Sequence, residues 1–196
     1  MPLSERIHLK NHFVLGFVPF GGSFDEFIKP FVIEMKNLEK GKVMSIQGNE
    51  CIVIASFGDI TTDLPQGNDL VGMKRHGANK GCRTCNVTKD FLTSNSLDLQ
   101  LISRYHHQSD KQFKEISEAL TITESKAIAA KYGLKLHPSI LDQLKRERHL
   151  QSPQDVYHIT AGKVQRCLKI TIEALLPEGK EELMRVWKSF EYPKTW

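Results

Sequence analysis

The sequence predicts an α+β fold with a helical C-terminal half, and three patterns indicate it. Apolar residues recur every three or four positions over residues 24–38, which is the periodicity of an amphipathic helix. Two short runs at residues 42–47 and 51–57, separated by a Gly-Asn pair, predict a β-hairpin. From residue 110 onward, helical patterns follow one another along the chain. Together these patterns predict one long helix, one hairpin and then a set of helices.

Capping residues predict the ends of the first long helix. Ser23 is a typical N-cap, and Glu26 three residues later completes a capping box. Gly41 is a typical helix stop, whereas Pro30 predicts either a kink or a later start. The run at residues 51–57 is almost wholly apolar and short, which is typical of a buried central strand.

The C-terminal half is predicted to be helical over several segments. These segments are residues 110–120, 123–132, 138–144, 153–176 and 179–190. Ser152 and Pro153 mark the start of the longest helix, because serine is a common N-cap and proline is favoured in the first turn. Asp155 and His158 lie three positions apart in this first turn, so their side chains are expected to face the same way.

The composition is that of a globular protein that does not span a membrane. Hydrophobic residues make up 40% of the 196 residues and charged residues make up 26%, which excludes a disordered composition. No apolar run reaches the roughly 18 residues of a membrane span, and residues 1–6 lack the apolar stretch of a secretory signal. We therefore expect an intracellular protein, nuclear or cytoplasmic, with no membrane partner.

The segment from residue 70 to residue 89 is basic and contains no acidic residue. A local excess of positive charge is typical of contact with nucleic-acid phosphates, and a solvated basic loop is the alternative interpretation. The candidate nucleic-acid contacts are Lys74, Arg75, Lys80 and Arg83.

Cys82 and Cys85 have the spacing of half a zinc site, because two thiolates on a tight turn can bind one side of a tetrahedral ion. Two further ligands are needed, and His76, His106 and His107 are the candidates. The alternative is a turn with free thiols in a reducing compartment. Because residues 67–95 are rich in glycine and lack periodicity, we expect a loop-rich region that a metal ion or a partner orders, with structural zinc as the candidate metal.

Two acidic positions are candidates for catalysis. Asp63 follows the predicted buried strand, where catalytic carboxylates are common, although turn or cap chemistry also explains it. Asp155 with His158 is the second candidate, and stabilisation of the helix N-terminus by a negative charge is its alternative explanation.

Four motifs in a fixed order resemble the CACTA (En/Spm-like) DNA transposases, in particular their fungal relatives. They are the helix of residues 24–41, the strand ending in Asp63-Leu64-Pro65, the Gly-Cys-x-x-Cys element within residues 76–85, and the Asp-x-x-His of residues 152–162. The resemblance runs from about residue 11 to residue 196.

This resemblance implies an RNase H-like core in which Asp, Asp and Glu hold two Mg²⁺ ions for the cleavage and transfer of DNA strands. Asp63 would be the second of these carboxylates, although Asp59 lies closer to the end of the strand. Asp155 and His158 would be the signature pair that positions DNA or the metal site. The Cys-x-x-Cys element would belong to an insertion in the core.

The sequence also departs from the family pattern. Gln66 and Gly67 stand where the pattern has Ala-Arg, and the first catalytic Asp and the closing Glu are not found in their expected contexts. We therefore expect a fragment with an incomplete active site and DNA as its partner. It would comprise a partial core (residues 1–66), the insertion (67–109) and a helical segment (110–196). The alternative is a zinc-stabilised DNA- or protein-binding module without catalysis.

Overall fold

The computed structural model describes residues 3–6 and 8–191, so the predicted extent of the C-terminal segment over residues 192–196 lies outside it. Its helices are α1 (Leu3–Arg6), α2 (Phe24–Lys40), α3 (Leu64–Leu70), α4 (Leu99–Ile102), α5 (His106–Glu118), α6 (Ile122–Tyr132), α7 (Val156–Ala174) and α8 (Pro177–Lys188). Its strands are β1 (Lys42–Ile46) and β2 (Asn49–Val53), and short 3₁₀ helices cover Leu9–Asn11, Lys89–Phe91 and Ile140–Gln143. The predicted α+β class is confirmed.

Helix α2 begins and ends at the predicted capping residues. The Ser23 hydroxyl accepts a hydrogen bond from the Glu26 backbone N–H at 3.3 Å, and Gly41 follows the last helical residue. The helix starts before Pro30 and continues past it, so Pro30 does not mark its start.

The β-hairpin is confirmed, but its turn and its burial differ from the prediction. The turn residues are Gln47 and Gly48, with φ values of 54° and 83°, which is the left-handed geometry of a two-residue hairpin turn. The prediction of a buried central strand is wrong. No third strand pairs with β1 or β2 within the residues that the structure describes, and Ile52 is 72% exposed.

Two hydrophobic cores join the three predicted segments. The first core consists of Val71, Met73, Phe113, Ile116, Ala129 and Leu134. The second consists of Ile28, Val32, Leu70, Leu141 and Leu144. Leu70 and Val71 are neighbours in the chain but belong to different cores, so the end of α3 connects the two. The region after residue 67 therefore packs against the C-terminal half and does not form a separate unit.

Ion pairs join the 3₁₀ helix Ile140–Gln143 to the loop that follows it, and join this loop to α5. The Asp142 carboxylate pairs with Arg146 at 2.7 Å and with Arg148 at 2.8 Å. Arg148 also pairs with Asp110 at 2.8 Å and lies 5.1 Å from the centre of the Phe113 ring. Both arginine side chains are buried, so Asp142 neutralises charge that water does not reach.

The long C-terminal helix starts later than predicted. Asp155, not Ser152, is the N-cap of α7, because its side chain accepts a hydrogen bond from the His158 backbone N–H. Ser152 is buried instead. Helix α6 ends at Gly133 as predicted. None of the helices within residues 3–6 and 8–191 combines the length and the apolarity that crossing a membrane requires.

Candidate functional site

The three predicted catalytic residues line one cleft. Asp63 comes from the start of α3, whereas Asp155 and His158 come from the start of α7, far along the chain. The cleft has a volume of about 420 Å³ and is formed by residues 61–63 and 153–158. We call it the carboxylate cleft. The fold thus brings together two motifs that the sequence keeps apart.

Both carboxylates of this cleft cap a helix. Asp63 Oδ1 accepts a hydrogen bond from the Gln66 backbone N–H at 2.9 Å. Asp155 Oδ1 accepts one from the His158 backbone N–H at 3.0 Å, and its Oδ2 is hydrogen-bonded to His158 Nδ1. The pKa of Asp155 lies below its ordinary value, chiefly because the His158 N–H stabilises the charged carboxylate. The interpretation of both residues as caps is therefore confirmed.

Backbone contacts fix the two sides of the carboxylate cleft against each other. The Ile60 N–H donates to the Gln151 carbonyl at 2.8 Å. In return, the Gln151 side-chain amide donates to the Phe57 carbonyl at 3.0 Å. Below them, Arg83 Nη2 donates to the Pro153 carbonyl at 2.6 Å. Each contact joins the segment before α3, or the loop after it, to the segment before α7.

Arg83 lies in the interior, and the prediction that it contacts nucleic-acid phosphate is wrong for this fold. Its residue is 1% exposed, because the side chain packs against Gly67. A Cβ atom added at Gly67 would lie 1.4 Å from Arg83 Nη1. Burial lowers the pKa of the guanidinium, while the charges of Asp155 and Asp63 act in the opposite direction. Arg83 is therefore a buried cation beneath the carboxylate cleft.

The residues of the carboxylate cleft do not fit a magnesium pair by themselves. Three of the four carboxylate oxygens of Asp63 and Asp155 already take part in hydrogen bonds. Across the described chain, no group of three or more His, Cys, Asp or Glu side chains is placed to hold a metal ion. Two-metal chemistry needs several such ligands around the ions.

The Cys-x-x-Cys turn is organised around a buried arginine. Arg104 Nε donates to the carbonyls of Cys82 and Cys85 at 2.9 Å and 3.1 Å, and its Nη2 donates to the Lys80 carbonyl at 3.2 Å. Burial lowers the pKa of Arg104 to about 10. The Cys82 sulfur lies 3.2 Å from the Thr84 hydroxyl. Arg104 thus cross-links the turn through three carbonyl groups.

The two thiols have different proton affinities. Burial acts to raise the pKa of Cys82, but hydrogen bonds from Thr84 and Cys85 outweigh it, so the pKa falls below its ordinary value. The pKa of Cys85 is raised, chiefly by burial. Each of the two side chains also affects the pKa of the other.

The predicted histidine ligands are not brought to these thiols. His106 lies 3.3 Å from Asp110, and its Nδ1 accepts a hydrogen bond from the Arg148 backbone N–H at 3.2 Å. His76 is exposed, and His107 stacks on Tyr105. The donor set at Cys82 and Cys85 is therefore two thiols, which does not complete a tetrahedral zinc site among the described residues.

The other predicted nucleic-acid contacts lie in different surroundings. Arg75 pairs with Asp69 at 3.1 Å, and Lys80 is half-buried. Lys74 lines a cleft of about 780 Å³, together with Lys126 and Lys135. Of the four predicted contacts, Lys74 thus lies in this concave surface.

Sequence reasoning missed Arg104 and the contact of Gly67 with Arg83. The sequence does not indicate that an arginine in a loop of mixed polarity is buried, since charged residues rarely lie in the interior unless they are paired. Gly67 itself was the available signal, because a glycine leaves space beside the backbone.

Comparisons with protein families, with curated proteins and with solved structures found no match to this chain.

Gly67→Ala is expected to lower the free energy of unfolding by about 1–3 kcal/mol, because the new methyl group displaces a buried guanidinium. Gly58→Ala is the matched control, since a Cβ there meets no atom within 4 Å, and it should change stability by less than about 0.5 kcal/mol. Urea unfolding of the two variants measures the difference. Equal stability of both variants would contradict the close packing of Arg83 on Gly67.

Proposed function

We propose that this chain is a segment of the catalytic region of a DDE-type DNA transposase similar to the CACTA family. Within the intact enzyme, Asp63 is one of the metal-binding carboxylates, and Asp155 with His158 positions DNA or the metal site. The segment does not hold the catalytic metal ions by itself. Its ancestral role is DNA strand cleavage and transfer.

The observation that carries this proposal is the convergence of the two motifs in the carboxylate cleft. The family resemblance implies that Asp63 and the Asp155–His158 pair serve one active site, and both line one cleft in the fold. A chance resemblance in sequence gives no reason for two distant motifs to meet. Asp63 and Asp155 each cap a helix, but capping alone does not require that α3 and α7 start beside each other.

The exposed apolar surface of the hairpin is a second support. Ile52 and Ile54 are each 72% exposed, and Phe13 and Phe17 in the segment before α2 are also exposed. When such side chains form one patch, another part of a protein commonly packs on that surface. In an RNase H-like core, further strands of the sheet would cover it.

The test of the proposal is DNA processing by a longer protein. The chain is extended with the coding sequence that flanks it in the genome, and nicking and joining of the flanking terminal DNA are measured with Mg²⁺. We expect activity, and we expect Asp63→Asn to abolish it, because a neutral amide is a poor ligand for a hard divalent ion.

Asp59→Asn is the control for this experiment. Asp59 is exposed and does not line the carboxylate cleft, so activity should remain. If activity survives Asp63→Asn, or is lost only in Asp59→Asn, Asp63 is not the metal-binding carboxylate. An extended protein without Mg²⁺-dependent activity would overturn the proposal.

The pairing of the two thiols favours a second candidate function, a zinc-stabilised DNA- or protein-binding module without catalysis. It requires ligands beyond Cys82 and Cys85. Metal analysis of the purified chain, with and without Cys82→Ser, tests the zinc that this module requires, whereas Mg²⁺-dependent cleavage by the longer protein separates the two candidates. One zinc per chain that the variant loses, with a lower melting temperature after chelation, would agree with the module. A metal-free chain whose melting is unaffected by chelators would exclude the module.

A further inference from the structure

A second cleft, about 780 Å³ in volume, is larger than the carboxylate cleft. Its walls come from the start of α2, from α3, from α6 and from residues 135–139. Three lysines line it, namely Lys74, Lys126 and Lys135. We call it the lysine cleft. These lysines come from three separate parts of the chain, so only the fold assembles them.

The charges of the lysine cleft leave a cationic excess. Two acidic residues, Asp25 and Asp69, also line it, and both Lys135 at 2.7 Å and Arg75 at 3.1 Å neutralise the Asp69 carboxylate. Lys74 and Lys126 form no ion pair with another described residue. The lining thus carries three lysines and two aspartates. Unpaired ammonium groups in a concave surface attract and hold anions.

Apolar side chains contribute the remaining surface of the lysine cleft. Phe24, Leu70, Ala129, Leu136 and Pro138 all line it. A ligand that fills this space therefore has both a negative group and a flat or apolar part. A nucleotide has this combination, because its phosphate meets the lysines while its base packs on the apolar surface.

A smaller apolar pocket connects the lysine cleft with the carboxylate cleft. This pocket has a volume of about 340 Å³, and it shares Phe24, Gln66 and Leu70 with the lysine cleft. It also shares Thr62 with the carboxylate cleft. Shared lining residues thus make the three concave surfaces neighbours, with the lysines at one end and Asp63 and Asp155 at the other, and we call this series the track.

We propose that this track binds a single strand of nucleic acid, with phosphates at Lys74, Lys126 and Lys135 and an unstacked base over the apolar surface beside Phe24. A duplex is too thick to enter a cleft of this volume, whereas spaces of about 300–1,000 Å³ hold ligands the size of one nucleotide. The strand would lead toward Asp63. This inference goes beyond the transposase proposal and stands without it, since binding requires no metal and no chemistry.

The test is fluorescence anisotropy of the full chain with a labelled oligothymidine of about 12 nucleotides, within the usual site size of such grooves. We compare the wild type with Lys74→Gln/Lys126→Gln/Lys135→Gln. The control Lys163→Gln/Lys169→Gln/Lys180→Gln removes the same charge from α7 and α8, outside the track. Lys126→Gln alone, at an exposed position without an ion pair, serves if the triple variant does not fold.

We expect the cleft variant to bind at least roughly tenfold more weakly, and its salt dependence to be shallower by about 2 in logarithmic slope, because each phosphate contact on a single strand contributes about 0.7. The control variant should keep the wild-type slope. Equal losses in both triple variants would overturn the proposal in favour of diffuse charge attraction. Tighter binding of the duplex, or of thymidine monophosphate, than of the oligonucleotide would overturn it as well.

Discussion

Replacing Asp142 with alanine is expected to lower the free energy of unfolding by about 3–5 kcal/mol, the largest effect of any substitution considered. Asp142 is the shared partner of Arg146 and Arg148, whose side chains are 0% and 1% exposed. Without Asp142, Arg146 loses its only ion pair in the described structure. Arg148 keeps only its ion pair with Asp110, whose side chain is exposed. A buried charge without a counter-charge is far more costly than a missing surface pair.

Urea unfolding followed by circular dichroism measures this effect. Asp90→Ala is the matched control, because Asp90 is exposed and carries no ion pair with a described residue, and its effect should stay within about 0.5 kcal/mol. A loss of less than about 1 kcal/mol in Asp142→Ala would mean that water reaches the arginines. The buried pairs would then be absent in solution.

Acidification from pH 6.5 to about pH 4 is expected to lower stability by about 3 kcal/mol through His149 alone, since each tenfold change in proton affinity corresponds to about 1.4 kcal/mol. Burial lowers the pKa of His149 to about 4, and the charges of Arg148 and Arg104 add to this, against the hydrogen bond to the Arg83 carbonyl. Below pH 6.5 the unfolded chain takes up a proton that the folded chain does not. Stability is therefore complete above pH 6.5 and declines as the pH falls toward 4.

The geometry around His149 identifies its neutral form. Nδ1 lies 2.8 Å from the Arg83 carbonyl, which can only accept, so Nδ1 carries the proton. Nε2 lies 2.8 Å from the Ser109 hydroxyl and accepts from it. His149→Gln retains a donor and an acceptor but does not titrate in this range. Urea unfolding of both proteins at several pH values should show a smaller slope for the variant, and equal slopes would contradict a neutral buried imidazole.

Local patterns predicted the elements whose ends depend on nearby residues. The capping box of Ser23 and Glu26, and Gly133 after α6, are interactions within one turn of chain, and the structure has both. The start of α7 was wrong by a few residues because Ser152 and Asp155 are both good N-caps. Burial of Ser152 against the rest of the protein, which no local pattern shows, decided between them.

The sequence predicts which residues belong to the candidate site but not what surrounds them. Motifs identify Asp63 and Asp155, and the fold places both in one cleft. The burial of Arg83 and the assembly of the lysine cleft depend on contacts between residues distant in sequence. The exposed hairpin was mispredicted for the opposite reason, because an apolar run indicates a strand without indicating what covers it.

The packing of Arg83 on Gly67 has a consequence for how these two positions vary in evolution. Any side chain at position 67 competes for the volume that the Arg83 guanidinium fills, so the residues at positions 67 and 83 are expected to change together. Homologous sequences with a larger residue at position 67 should carry a shorter one at position 83.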